Sequence, residues 1–377
     1  ISGGVNWQLA AQQAKDIAHN STKPVEAKFR DELKTALHVA ELWLDQATSV
    51  SALATEPKLL SRELWVADAL PLFRVLSAPV AERMAAALTE NLRQNAPEEL
   101  QGMLASASGM MKMAGGTMFA MQLGQALGQL STEVISGSDI GLALFDEARA
   151  AFVPQNFEAF VAGLDVDPDQ AFIYLAVREL AHTRLFKHSK WLRDHVVSQI
   201  TNYAAGIALD NDKIRELAET FDASNPESVR DALQSGALIA ERTEEQLLAL
   251  ERIETMLALV EGWVEAVTES ATKLLPNAVQ LGEALRRRRA TRGPAEKTFE
   301  TLVGLELRPR RLREATELWR KLGAAIGTER RDALWNHPDL LPTSADIDNP
   351  TDLITRLSAS GSGSDDIDLA LRDLLGE

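Results

Sequence analysis

The 377-residue chain has no cysteine, which rules out disulfides and Cys-ligated zinc or iron–sulfur centres. Any metal must therefore be held by histidines and carboxylates. Tyrosine occurs only twice and alternating β-branched runs are nearly missing, so little in the sequence asks for a sheet. Positive charge is also short: 39 Lys and Arg face 55 Asp and Glu, a net charge of −16. Phosphate binding needs net positive surface, so no nucleic-acid partner is expected. A basic start followed by an apolar run is missing too, so no signal peptide is expected and the location is expected to be cytoplasmic. The chain opens on Ile1 rather than Met, which suggests a reading frame that begins further upstream.

Hydrophobic residues make up 45% and charged residues 25%, a balance that excludes wholesale disorder and collagen-like structure. From Val5 to Asn95 apolar residues recur at three- and four-residue intervals, as in Leu37, Ala40, Leu42 and Leu44, and again in Leu64, Val66 and Leu70. The expected fold class is all-α, a large multi-helix domain over residues 1–357. Within it a helical lobe covers about 1–135 and a core about 136–345, with a flexible acidic tail at 358–377. Pro24, Pro57, Pro71, Pro79 and Pro97 are expected to break the first stretch into helices of roughly 12–20 residues.

Residues 101–132 carry one charge, Lys112, and six of the eight methionines. Gly124 and Gly128 form a small-xxx-small face, which suits either a membrane-associated segment or a buried helix. Glutamines and serines make the run a poor apolar span, so no transmembrane segment is expected. The expectation is a buried helix preceded by a flexible Met/Gly-rich linker, with Gly115–Gly116 interrupting the run. The turn-rich Ser136–Gly141 then separates this helix from the middle third.

Residues 168–186 read as one strong helix with Pro168 in its first turn, and 190–205 as another. Shorter helices are expected over Asp210–Asp222 and Pro226–Ser235. Thr243 and Gln246 fit a capping box opening a long helix that runs to Lys273. Residues 283–331 carry a local charge of +7 and residues 332–377 one of −8. Ser358–Ser364 has the composition of a flexible linker.

The most suggestive chemistry is Arg178-Glu179-Leu180-Ala181-His182. Glu179 and His182, three apart on a helix, can converge on one point amid Phe172, Leu175, Leu185 and Phe186. A metal, an internal Glu–His hydrogen bond or a Glu179–Arg178 contact would each satisfy the pair. The HExxH helix of a zinc peptidase places two histidines at i and i+4, with the glutamate as general base. Here Arg178 occupies the first histidine's place, and a guanidinium cannot ligate. A carboxylate-bridged di-iron site needs a second ExxH, which the chain lacks. Downstream, Glu261 could supply a third ligand, with Gly262 permitting close approach of another helix. By position alone Glu261 and Glu265 continue a solvated stripe with Glu251 and Glu254. His188 and His195 share a face only if their helix is continuous. Arg286, Arg287, Arg288 and Arg289, with Arg292, Arg308, Arg310, Arg311 and Arg313, could bind an anion or form salt bridges to the acidic bulk. Only Phe299 lies between the two clusters, so the aromatic interleaving of single-strand binders is missing.

Around these residues the sequence resembles the zincin-like metallopeptidase type 2 family, a group of actinobacterial hydrolases. The resemblance is carried by Val5-Asn-Trp-Gln-Leu-Ala, Leu123-Gly-Gln-Ala-Leu-Gly-Gln-Leu, Arg178-Glu-Leu-Ala-His-Thr-Arg-Leu-Phe186 and Val260-Glu-Gly-Trp-Val264. It continues through Arg286–Glu296, Leu302–Leu312 and Trp335–Pro342. It implies a zincin-like central helix and a zinc-dependent hydrolase acting on a peptide or small molecule. In it Glu179 would be the general base, His182 a zinc ligand and Glu261 the downstream carboxylate ligand. The family pattern departs at Arg178, which leaves two plausible protein ligands where a catalytic zinc ordinarily has three. The alternative is a catalytically silent relative that acts as a binding or scaffold protein, with an anion-binding arginine patch.

Overall fold

The computed structural model describes residues 5–24, 26–95, 101–145, 148–208, 210–219, 240–290, 300 and 311–359. The fold is all-α. In chain order it runs α1 (Trp7–Ser21), α2 (Ala27–Ala47), β1 (Lys58–Leu59), α3 (Arg62–Asn95), α4 (Gln101–Ser131) and β2 (Ala151–Phe152). There follow α5 (Pro154–Ala162), α6 (Pro168–His188), α7 (Trp191–Ala205), α8 (Asn211–Glu219), α9 (Glu244–Ala271) and α10 (Ala278–Ala290). Last come α11 (Leu312–Ile326), α12 (Thr328–Ala333) and α13 (Ser344–Asp348).

Pro71 and Pro79 do not break the chain as expected; both lie inside α3. An interior proline costs about 3 kcal/mol through its lost donor and ring clash. The helix nevertheless buries Trp65, Val66, Ala69, Leu72, Phe73, Leu76 and Val80 along one stripe. Each such large side chain stabilises by about 1.5–3 kcal/mol, so the stripe outweighs both prolines. Pro24 and Pro57 do fall between helices, and Pro97 lies outside the described residues.

The Met/Gly-rich stretch is a second correction. It forms one continuous helix from Gln101, not a linker followed by a helix, and Gly115–Gly116 do not interrupt it. A helical glycine costs about 1 kcal/mol, too little to stop a helix anchored by Ala120, Leu123, Leu127 and Leu130. Its small-residue face receives α1: a Cβ at Gly128 would sit 2.7 Å from Ile17 Cβ, and one at Gly124 would sit 2.8 Å from the Ala10 carbonyl oxygen. Among the described residues one helical segment, Arg62–Ala86, has the length and hydropathy to cross a membrane, and half of its most apolar window is buried inside the protein.

Two helices make the centre. Asp167 caps α6 by accepting from Asp169 N at 3.0 Å, and Pro168 takes the first turn. Thr243 and Gln246 form the reciprocal capping box of α9, and α9 ends at Ala271, two residues short of the expected Lys273. α6 packs between α2 and α9. Nearly every side chain of α6 from Ala171 to Phe186, and of α9 from Met256 to Thr268, is buried. At Gly262 the backbone of α11 comes so close that a Cβ would lie 2.8 Å from Ala315 C and Thr316 N. Trp319 stacks on Trp335 at 5.3 Å, and the Trp263 edge meets Trp335 at 6.4 Å. Buried Asp332 ties this layer to the end of α2 by accepting from Trp263 Nε1 (2.9 Å), Thr48 Oγ1 (2.6 Å) and Ser49 N (2.9 Å). Buried side chains from Val5 to Leu353 form one continuous cluster.

A short parallel pair completes the framework. β1 and β2 align Lys58 with Ala151 and Leu59 with Phe152, and Ser136 bridges Phe152 from the other side. This fixes the Ser136–Gly141 turn directly over α6. The expected helix over Pro226–Ser235 and most of the acidic tail, residues 360–377, lie outside the described residues.

Candidate functional site

Because α6 is buried around most of its circumference, its polar residues must find partners inside the protein. Glu179 is 1% exposed. Its Oε2 accepts from Ser138 N at 3.1 Å and, in a very short contact, from Ser138 Oγ. Its Oε1 accepts from Ala151 N at 2.9 Å. The carboxylate thus joins the 136–141 turn to β2. Burial raises its pKa, and the Ser138, Ala151 and Ser136 hydrogen bonds offset only part of that rise.

His182, one turn along, is 2% exposed and stacks on Phe186 at 4.8 Å. One ring nitrogen donates to the Gly141 carbonyl. The other, Nε2, has no hydrogen-bond partner and lies 3.9 Å from Glu261 Oε1, which also has none. Burial lowers the imidazole pKa to about 4, with Arg178 and Arg289 adding to that effect against the pull of Glu261. The ring is therefore neutral at pH 7.

Glu261 is buried, not part of a solvated stripe, and Glu265 is buried beside it. Arg178 of α6, Arg286 and Arg289 of α10, and the Gly141 backbone lie against these carboxylates. Glu261 Oε2 accepts from two guanidiniums in very short contacts, Arg178 Nη2 of α6 and Arg289 Nη1 of α10. Burial alone would raise the Glu261 pKa; Arg289 and Arg178 outweigh it and hold the value down at about 2.

A zinc ion implied by the HExxH likeness does not fit this donor set. His182 Nε2 and Glu261 Oε1 are the two unengaged donor atoms, where a catalytic zinc ordinarily takes three protein ligands. Both oxygens of Glu179 are already occupied. The charge of Glu261 is answered by two fixed cations, whose field opposes a dication at the same point. Among the described residues no three His, Asp or Glu side chains converge as a metal cluster.

The arginine block largely faces inward. Arg286 meets Glu265, Glu283 at 2.7 Å and Glu269 at 3.6 Å. Arg288 meets Asp139 at 2.9 Å and the Glu133 carbonyl at 2.6 Å. Arg311 binds Ser344 and Asp348. Arg287 is exposed, and Arg310 lies outside the described residues. His188 and His195 are separated by the break at Ser189–Lys190; His188 Nε2 meets Asn336 Oδ1 at 2.7 Å.

Sequence reasoning missed the partners Ser138, Ala151 and Asp139. The Ser136-Gly-Ser-Asp-Ile-Gly141 segment read as a separator, yet it supplies two donors to Glu179, the carbonyl for His182 and the carboxylate for Arg288. Its density of short polar residues beside a buried carboxylate was the available signal. Between this turn, residues 143–145 and 148–149, and α6 lies a small open cleft with a cavity volume of about 20 Å³, walled by Leu144, Phe145 and Phe186 and floored by Ser138, Glu179 and His182.

Comparison with known proteins gives a family and a fold. The model of a zincin-like metallopeptidase family matches residues 5–354. Among solved structures, the crystal structure of a "putative hydrolase with a novel fold" from Chloroflexus aurantiacus superposes with a TM-score of 0.63. It is 19% identical, and the match covers 94% of this chain and 99% of the other, a likeness of fold. No curated protein matches the chain.

Proposed function

The chain belongs to the zincin-like metallopeptidase family, and we propose that it is a member without zinc-dependent peptidase chemistry, acting as a binding or scaffold protein. The observation that carries this reading is the double salt bridge on Glu261. Two guanidiniums, one of them at the place of the first HExxH histidine, supply the positive charge that a zinc ion would supply. Glu179 is then a fastener between α6, the 136–141 turn and β2, not a free base.

A second reading is a zinc-dependent hydrolase in which Glu179 is the general base and His182 and Glu261 are ligands. The observation that favours it is the facing pair of buried, unpartnered acceptors, His182 Nε2 and Glu261 Oε1.

Glu179→Gln separates the two. In the binding reading the amide turns a donor toward donors that a carboxylate accepted, so stability falls by about 1–3 kcal/mol. Any hydrolysis of peptide or ester probes is then the same for both proteins. In the hydrolase reading turnover falls by about 10²–10⁴-fold. A turnover loss of that size in a folded variant overturns the first reading.

A further inference from the structure

Charged side chains from α6, α9, α10 and the 136–141 turn meet around Glu261. Four are guanidiniums, Arg178, Arg286, Arg288 and Arg289, each 13–25% exposed. Three are carboxylates at 3–11% exposure, Glu261, Glu265 and Asp139. The more exposed Glu269 and Glu283 reach Arg286 from outside, and Arg320 also holds Glu269. The sheltered part of the cluster is therefore one negative charge short.

That shortfall falls on Arg178 and Arg289. Arg286 has Glu265 and Arg288 has Asp139, whereas Arg178 and Arg289 share Glu261. Both donate to the same oxygen, Oε2, so two like charges lie side by side where little water screens them. Glu261 Oε1 accepts from neither. Glu265 and Asp139 also act on Arg289, but each is already paired with Arg286 or Arg288. Among the described residues Glu261 is the one hydrogen-bond acceptor that either guanidinium meets. The remaining N–H groups of both stay within reach of solvent.

A second carboxylate answers each of these features. Its two oxygens match the paired N–H groups of a guanidinium. Its single charge brings the sheltered cluster to four against four and relieves the repulsion between the two arginines. A phosphate dianion would overshoot, leaving excess negative charge beside buried Glu261 and Glu265.

We propose that Arg178 and Arg289 form a binding site for the carboxylate group of a ligand, on the solvent side of their bridge to Glu261. The site deepens the binding reading above and rests on it, because a metal ion at Glu261 would displace the same two arginines. Zinc content decides that reading, and carboxylate binding decides this site, so the two fail separately.

Thermal unfolding at pH 7 tests the site with acetate and benzoylglycine at about 10 mM, the ionic strength matched with NaCl. Benzoylglycine carries the end of a peptide chain in miniature; a rise in Tm with it alone assigns a peptide-like terminus, and a rise with both assigns a free carboxylate. The expected rise is about 2 °C. The neutral amide of the active acid should give none, and inorganic phosphate a smaller one. The rise should vanish in Arg289→Gln, which leaves Glu261 paired one-to-one with Arg178, and survive in Arg287→Gln, whose side chain is exposed. No rise with either acid overturns the site, as does an equal rise with acid and amide, a rise with phosphate as large as the acid's, or a rise retained in Arg289→Gln. If Arg289→Gln does not fold, phenylglyoxal modification of the wild type, read peptide by peptide by mass spectrometry, decides. The active acid should slow modification of Arg178 and Arg289 relative to Arg287; equal slowing of all three, or of none, overturns the site.

Discussion

Arg178 of α6 and Glu261 of α9 stand 83 positions apart in the chain and meet side chain to side chain at the centre of the protein. The contact occupies the place where a zinc-peptidase helix would present its first histidine. It converts a ligand position into a counter-charge and gives Glu261 a structural duty. Arg289 repeats the arrangement from α10, so one buried carboxylate joins three helices.

Removing that carboxylate leaves two guanidiniums in a largely dry setting without a charged partner. Glu261→Gln is therefore expected to destabilise the fold by about 3 kcal/mol, since breaking one side of a buried ion pair strands the other. For a protein of this size that is a fall in Tm of about 4 °C. Calorimetry or thermal circular dichroism reads it, and a change within about 1 °C contradicts the structural role of Glu261.

Stability should fall as pH drops from about 6.5 to about 4. His182 has a folded-state pKa lowered to about 4, so in this window the unfolded chain binds the proton and the folded one does not. Half-buried His195, lowered by burial and by Arg252, acts in the same direction. Below about 4.5 Glu261 adds to the loss, because its folded pKa of about 2 makes the unfolded chain the better proton acceptor there. Glu179 opposes this, its pKa raised by burial making the folded chain the better proton acceptor above the ordinary carboxylate range. Chemical denaturation at pH 4.5, 5.5 and 6.5 should show the fall, and His182→Gln should flatten it. An equal slope in both proteins contradicts the assignment.

Gly262→Ala should destabilise by about 1–3 kcal/mol, even though alanine is the better helix former by about 1 kcal/mol. The new methyl would lie 2.8 Å from the α11 backbone at Ala315 and Thr316, and neither is a flexible chain end that can swing aside. Denaturant midpoints of the two proteins measure this; an unchanged or higher midpoint means the helices do not approach so closely.

The helical period, the capping box at Thr243 and the N-terminal Pro168 of α6 were readable because each is a local signal, enforced within a few residues. So was the role of Gly262, whose missing side chain beside large apolar neighbours anticipates a crossing helix. Pro71 and Pro79 misled because local propensity yields to a long buried stripe that only the tertiary fold reveals. The candidate site was half legible. Glu179 and His182 stood out as polar residues in apolar surroundings, whereas Glu261 read by position as part of a solvated stripe; the structure buries it and brings His182 and Glu261 face to face. What their neighbours do was hidden: Ser138 and Ala151 reach Glu179 across 41 and 28 positions, and Arg289 reaches Glu261 across 28. No helical spacing encodes those pairings. The arginine run read equally as an anion patch or as salt bridges to the acidic bulk, because sequence gives the charges and not their direction; Arg286, Arg288 and Arg289 form the salt bridges.

The central claim is that Arg178 and Arg289 take the place of a metal's charge at Glu261. Zinc content per chain, measured by inductively coupled plasma mass spectrometry on protein purified without chelator, tests it most directly, with Arg178→His prepared in parallel. The account predicts less than about a tenth of an equivalent in the wild type. It predicts close to one equivalent when Arg178→His is combined with Arg289→Gln, where an imidazole joins His182 and the released Glu261, and less in Arg178→His alone, where Arg289 still pairs Glu261. Close to one equivalent in the wild type, lost on His182→Ala, would contradict it.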